Sequence, residues 1–347
     1  MACFGAGWVT THRHIPTMRR HGGFEVAAIV DRRPERAQAA AENLSIPRHA
    51  GAESVEELDF SDQIDAVTCG TAPFAHHRVI GSALRAGKHV LTEKPFTMTV
   101  EEGEELVALA REQGKVLAVV HNFQFARSVQ RLRHWMDQGR IGRVRAVWAI
   151  QLSNPARRLP PWFDELPFGL FYDESPHLIY MARALAGGDL DPVSVTVHPS
   201  TRGLENTPAQ IAAQMRAGEV PVSIQMNFEA PVSEWHVAAI GDKGIGTVDL
   251  FRDIAVYMPN DGDHKALEVL RSSASSSWHH WRGYVGSGLK HVRGTLRYGN
   301  DEVFRRFHAA SLTGASPEAI DGLDALAVLK IQHWILEAGQ DRRRIPA

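Results

Sequence analysis

Short apolar runs alternate with stretches of helical apolar spacing through the first ~120 residues, and that rhythm constrains the fold more tightly than any other feature of the chain. Apolar runs occupy 1–7, 24–30, 65–69 and 116–120, with another following the Ala86-Gly87 helix end. The segments between them, 8–20, 34–44, 74–85 and 100–113, carry helical spacing, the first interrupted by Pro16. Pro34 stands in a first turn, where its missing N–H costs nothing. Glu101, Glu102, Glu104 and Glu105 put negative charge at a helix start, where the macrodipole favours it. The alternation predicts an α/β fold with a parallel, doubly wound sheet. Ligands of such sheets lie beyond the carboxyl ends of the strands, so the residues that end each run carry the functional argument.

From residue 122 the rhythm changes. Helical spacing returns at 128–138, 173–185, 302–312 and 320–338, while 144–152, 193–198, 220–228, 235–241 and 247–251 read as strands. This predicts an α+β domain with a large, mostly antiparallel open sheet. At 347 residues the chain exceeds one ordinary core, so two domains are expected, 1–121 and 122–347. The serine-rich stretch 272–277 reads as a polar connector. An open sheet leaves a face to cover, so a homodimer or homotetramer is expected.

Bulk chemistry narrows the partners. Thirty-eight basic against forty acidic side chains leave a formal charge of -2, and no basic block suggests a phosphate-backbone footprint, so nucleic acid is not expected. Nor is a membrane, since no apolar run reaches spanning length and the start lacks signal-peptide order. Cys3 and Cys69 both fall in strand-like runs and read as buried thiols, which suits a reducing cytoplasm. The histidine pairs His12/His14, His76/His77 and His279/His280 lack the carboxylate or cysteine company of a metal site, and no metal is expected.

The strand ends carry the chemistry. Gly5-x-Gly7 follows a strand and opens a helix, the setting of a Rossmann dinucleotide fingerprint. The first glycine permits the tight turn, and the second lets a pyrophosphate approach the backbone at a helix N-terminus. Thr10 stands where the third glycine of that pattern would be. Asp31 ends the second strand, where a carboxylate accepts hydrogen bonds from a ribose or serves as a turn residue. Arg32 beside it can stack on adenine or answer a 2′-phosphate. The carboxylate repels such a phosphate, so NAD is expected before NADP. Thr71-Ala72-Pro73, with His76 after it, lines the nicotinamide side or merely forms a turn and helix start. Glu93-Lys94-Pro95 ends another strand, and Lys94 there can hydrogen-bond a reacting hydroxyl. Four residues precede Gly5, where a central strand normally has about five or six, so a frayed strand or an upstream start is expected.

These residues, with Ala86-Gly87-Lys88-His89-Val90 leading into Glu93-Lys94-Pro95, resemble the Gfo/Idh/MocA family of glucose-fructose oxidoreductase and inositol dehydrogenase relatives. Asn122, Gly139-Arg140-Ile141-Gly142 and the stretch from Gly169 to His177 continue the likeness. The resemblance implies that Trp8, Val9, Glu93, Lys94 and Asn122 border the cofactor, and that Lys94, Asp173 and His177 are the catalytic groups. Aspartate and histidine four apart share a helix face, and Pro176 between them is tolerated if Asp173 is the N-cap. Ala72, Gln124 and Tyr180 depart from the family pattern, Tyr180 standing where an aspartate is common.

The expected activity is hydride transfer between NAD(P) and a secondary hydroxyl or ketone of a sugar, sugar derivative or cyclitol. The alternatives are an NAD-dependent glycoside-cleaving enzyme on the same scaffold and a non-catalytic nucleotide or sugar sensor. Substrate contacts are expected from Arg157, Trp162 and Tyr180, although the loop bearing Arg157-Arg158 and Trp162-Phe163 also reads as solvated. Trp278 and Trp281 border the pocket or a subunit contact, or pack in a core.

Overall fold

The computed structural model describes residues 1–343, with side chains through residue 340. The chain divides into two compact units, one formed by Met1–Asn122 and Asn300–Lys330, the other by Phe123–Gly299 and the residues from Ile331 onward.

The first unit is built on six parallel strands, β1 (Ala2–Phe4), β2 (Ala28–Asp31), β3 (His49–Gly51), β4 (Ala66–Cys69), β5 (His89–Thr92) and β6 (Leu117–Val119), in the order 3-2-1-4-5-6. That order reverses between β1 and β4, so the crevice at their carboxyl ends is the topological switch point. Cys3, Ile29, Val67, Leu91 and Ala118 have no exposed surface, as expected of strands covered on both faces. The helices are α1 (Ile15–His21), α2 (Pro34–Leu44), α3 (His76–Arg85) and α4 (Val100–Glu112). A wide π-type turn, Thr10–His14, precedes α1, and Pro16 falls in the first turn of α1 rather than breaking it. Thr99 caps α4, its hydroxyl accepting the Glu102 N–H at 3.2 Å. Both cysteines are buried free thiols, and burial pushes the Cys3 thiol up to about 12.

The second unit is a seven-stranded sheet made of β7 (Val144–Leu152), β8 (Asp191–His198), β9 (Gln210–Ala217), β10 (Val220–Asn227), β11 (Glu234–Gly241), β12 (Gly244–Asp249) and β13 (Ile254–Pro259). The order is 13-12-11-7-10-9-8, and the β7–β10 pair alone is parallel. Its helices are α5 (Arg127–Asp137), packed on β12 and β13, and α6 (Leu170–Ala186), packed on β7, β10 and β11. A third, α7 (Ala266–Val292), lies along β13. The polar connector expected at 272–277 is thus corrected: those serines lie inside α7. Three of their hydroxyls are satisfied locally, Ser272 and Ser276 donating to carbonyls of the preceding turn and Ser275 to Tyr257 O at 2.8 Å. Small side chains also let the helix approach the strand, since a Cβ at Gly283 would lie 2.8 Å from Ile254.

The C-terminal stretch does not belong wholly to the second unit. After α7 the chain enters α8 (Asn300–Thr313) and α9 (Gly322–Arg343), and the division falls inside α9. In the first unit, Val119 N–H donates to Ile320 O at 2.7 Å, continuing the β6 edge. Phe304, without exposed surface, meets the rings of Phe24 and His14. The apolar face of α8 is completed by the first unit.

Candidate active site

The dinucleotide end of the first unit starts from Gly5, with φ +88°. A Cβ there would lie 2.7 Å from Gly70 O, so glycine is required by both backbone and space. At Gly7 an added Cβ would meet Gly70 O at 3.9 Å and nothing nearer, leaving bare backbone where the helix opens. The role of the missing third glycine has moved across the crevice. Thr10, fully buried, fills the space that Gly70 vacates, for a Cβ on Gly70 would come 2.3 Å from the Thr10 hydroxyl. Asp31 braces the same loop. Its Oδ2 accepts the Ala6 N–H at 2.9 Å and its Oδ1 the Arg33 N–H at 3.0 Å, while Arg32 is exposed. Bare backbone at a helix start, with a carboxylate at the end of β2, fits a dinucleotide. Trp8 is 43% exposed at this helix start, stacked on His12, with Arg13 over its ring; Val9 beside it is half-buried.

At the end of β5, a cis peptide joins Lys94 to Pro95. Glu93 is gripped from an unexpected quarter. His14, without exposed surface, places Nε2 2.9 Å from Glu93 Oε1 and Nδ1 2.9 Å from Thr68 Oγ1. A carboxylate can only accept, so the Nε2–H donates to Glu93. Burial by itself would raise the Glu93 carboxyl; the His14 hydrogen bond, its charge and the Lys94 ammonium outweigh this and hold it below the ordinary range. The Lys94 N–H adds a bond to Glu93 Oε2 at 3.2 Å. His14 thus supports the turn that presents Lys94, a role hidden in the sequence by the separation of 79 residues.

His76, expected at the cofactor, has no exposed surface and serves as a strut instead. Its Nδ1 lies 2.8 Å from Pro95 O and its Nε2 3.3 Å from Thr71 O, tying α3 to both strand-end turns. Burial lowers its pKa against the pull of those carbonyls. Pro73 is buried beside it, and the Thr71 hydroxyl pairs with the Cys69 sulfur at 3.3 Å. Asn122, the last residue of this unit's first segment, is buried.

In the second unit, Asp173 and His177 lie on α6, each 7% exposed. The expected cap is corrected: α6 starts at Leu170 after Gly169, so Asp173 lies within the first turn and Pro176 is interior to the helix. Proline there removes the N–H that would reach the Tyr172 carbonyl. Gln332 replaces it, its Nε2 donating to Tyr172 O at 2.6 Å and to Ser175 Oγ at 2.9 Å. The helix therefore runs on, and Asp173 and His177 share a face.

The imidazole is held among aromatic rings, Phe123 at 4.6 Å, Trp235 at 5.5 Å and Tyr180 at 5.6 Å between centroids. Tyr180 is its partner: the Phe123 N–H donates to the tyrosine hydroxyl oxygen at 2.9 Å, and that hydroxyl lies 2.8 Å from His177 Nδ1. The aspartate that Tyr180 replaces would add a charge here; the tyrosine supplies a neutral orienting group. Arg157, expected on substrate, is engaged by the buried Glu174, which also binds the Gln151 amide. Trp162 is half-buried and precedes a single helical turn, Phe163–Glu165. Among the described residues no group of three or more His, Cys, Asp or Glu side chains could hold a metal ion, and no helix is long and apolar enough to cross a membrane.

The two units match one protein class. Residues 1–121 match the oxidoreductase family with an NAD-binding Rossmann fold, and residues 129–246 match the GFO/IDH/MocA C-terminal domain. An oxidoreductase of Schizosaccharomyces pombe, itself uncharacterized, is 32% identical over 86% of this chain and 70% of its own. The chain belongs to the GFO/IDH/MocA oxidoreductase family, whose cofactor is NAD(P). A 1,5-anhydro-D-fructose reductase from Ensifer adhaerens is 36% identical over 47% of this chain, a match spanning 48% of that protein. An Agrobacterium radiobacter oxidoreductase, solved with NAD+, L-tartaric acid and magnesium, shares the fold with a TM-score of 0.80 at 16% identity, covering 99% of this chain and 96% of its own.

Proposed function

We propose that this oxidoreductase transfers a hydride between NAD and a carbon bearing a secondary hydroxyl, or the matching ketone, of a sugar, sugar derivative or cyclitol. Residues 1–121 take the dinucleotide, and residues 122–347 the substrate and the subunit contacts of a homodimer or homotetramer, in a reducing cytoplasm where Cys3 and Cys69 stay thiols. The observation that carries the reading is the buried His177, fixed at Nδ1 by Tyr180, on one helix face with Asp173. The Ensifer reductase, named for a sugar derivative, supports the substrate class.

Bound NAD supplies the hydride acceptor or donor. His177 moves the hydroxyl proton through Nε2, as base in oxidation and acid in reduction. Lys94 hydrogen-bonds the same oxygen and stabilises the charge that develops on it. Asp173 orients the substrate or the histidine. Gly5, Gly7, Trp8 and Val9 receive the pyrophosphate side, Asp31 and Arg32 the adenosine ribose, and Thr71, Pro73, Glu93 and Asn122 the nicotinamide side. The Asp31 carboxylate disfavours a 2′-phosphate.

Fluorescence titration with NADH and NADPH, followed by turnover of a sugar and cyclitol panel, tests this. NADH is expected to bind more tightly, and Lys94→Ala to abolish turnover with NADH affinity nearly unchanged. Equal loss of turnover and NADH affinity would make Lys94 structural and overturn the assignment.

A further inference from the structure

Within the second unit, α5, α7 and the start of β13 border a cavity of about 580 Å3. Three guanidiniums line it, Arg127 and Arg131 from α5 and Arg282 from α7. None of the three makes an ion pair or side-chain hydrogen bond to a described residue. Burial lowers the pKa of Arg131, and the charges of Arg282 and Arg127 lower it further against the upward pull of Asp253, so the cations are crowded. One carboxylate, Asp253, lines the cavity; its Oδ1 already accepts the Ser128 N–H at 2.8 Å, and a single negative charge leaves the site two positive charges in excess. Ser128 is 2% exposed, and its Oγ has no hydrogen-bond partner. The α7 side also carries aromatic rings: Trp278 and Trp281, one helical turn apart, are 64% and 63% exposed.

Unpaired guanidiniums recognise phosphate oxygens, and bare indole faces recognise planar rings. We propose that this cavity binds an organic phosphate carrying an aromatic ring, with its phosphates on Arg127, Arg131 and Arg282 and its ring against Trp278 and Trp281. The chain links the cavity to the imidazole by two short paths. Phe123, in ring contact with His177, lies four residues before Arg127. Phe251, in ring contact with Trp235 beside His177, lies two residues before Asp253. A sugar joined to a nucleoside diphosphate matches that layout, its sugar at His177 and its diphosphate at the arginines. This last step rests on the proposed function; the cavity's affinity for a nucleotide does not.

The test uses the full chain loaded with NADH, titrated with UDP, dTDP and inorganic pyrophosphate by calorimetry and tryptophan fluorescence. A nucleoside diphosphate is expected to saturate one site and to quench tryptophan, with pyrophosphate at least about tenfold weaker. Arg131→Gln with Arg282→Gln should weaken UDP about tenfold or more, and Trp281→Ala should weaken UDP while sparing pyrophosphate. Retained NADH affinity shows that each variant is folded. Absent or non-saturating UDP binding, pyrophosphate binding as tight as UDP, or indifference to the arginine variants would each overturn the proposal. So would a dimer that Trp281→Arg dissociates in a protein that binds no nucleotide, since the groove would then belong to a second copy. NADH-dependent turnover of free sugars without nucleotide binding would sink the cavity and keep the reaction; nucleotide binding without turnover of any sugar or sugar nucleotide would do the reverse.

Discussion

A histidine that must stay neutral to stay buried makes stability depend on pH, and His76 is in that position. Its unfolded counterpart takes up a proton near pH 6.5, whereas the buried ring resists it to a lower pH. Between those two values the unfolded state binds more protons, so stability is fully present above about 6.5 and is lost as pH falls toward the folded value. His76→Gln is expected to be less stable than the parent at pH 8, and to lose less further stability below pH 6.5. Thermal midpoints of both proteins across pH 5–8 check this; equal slopes would show that His76 is not the titrating group. His21, His89 and His279, also held down by burial, contribute equally to both proteins and cancel in the comparison. The residues named at strand ends were legible because strand direction alone sends them to one edge. The purpose of His76 was not, because a histidine that contacts a ligand and one that braces a turn look alike until burial is known.

At the level of elements, α6 depends on a distant amide. Gln332→Ala removes the donor to the Tyr172 carbonyl and the Ser175 hydroxyl, both in a buried helix. The expected cost is about 1–3 kcal/mol in urea denaturation, for leaving a buried carbonyl unmade. Adding Pro176→Ala should recover part of that loss, because a backbone N–H then returns to the same carbonyl. If the two effects simply add, the bond does not compensate for the proline. The sequence expectation avoided the problem by making Asp173 an N-cap; the additional turn from Leu170 shows that helix length here is set by tertiary contacts. The same holds for β9, whose Gln and Ala residues give little strand propensity but alternate between buried and solvent-facing positions once paired with β8 and β10. In α7, serines that look like linker residues are small enough to sit against β13 and have carbonyls within reach.

For the whole molecule, the uncovered face of the second unit's sheet carries the oligomer expectation. Along β7, Val147, Ala149 and Gln151 point into the core, while Trp148 on the other face is 53% exposed beside Ala238 and Ser223. Trp148→Glu is expected to reduce the mass seen by light scattering to that of one chain while leaving the circular dichroism spectrum unchanged; an unchanged assembly would move the subunit contact elsewhere. What the sequence determined by itself is what a local period can encode: parallel strands and helices in alternation, a glycine turn after the first strand, and polar residues gathered at one sheet edge. The tertiary structure decided which of those residues brace one another. His14 meets Glu93 across 79 residues and Gln332 meets Tyr172 across 160, and α8 returns to the first unit from the far end of the chain. The physical reason is that a buried polar group must find its partner wherever packing brings one within about 3 Å, and packing is a property of the folded chain rather than of any stretch of it.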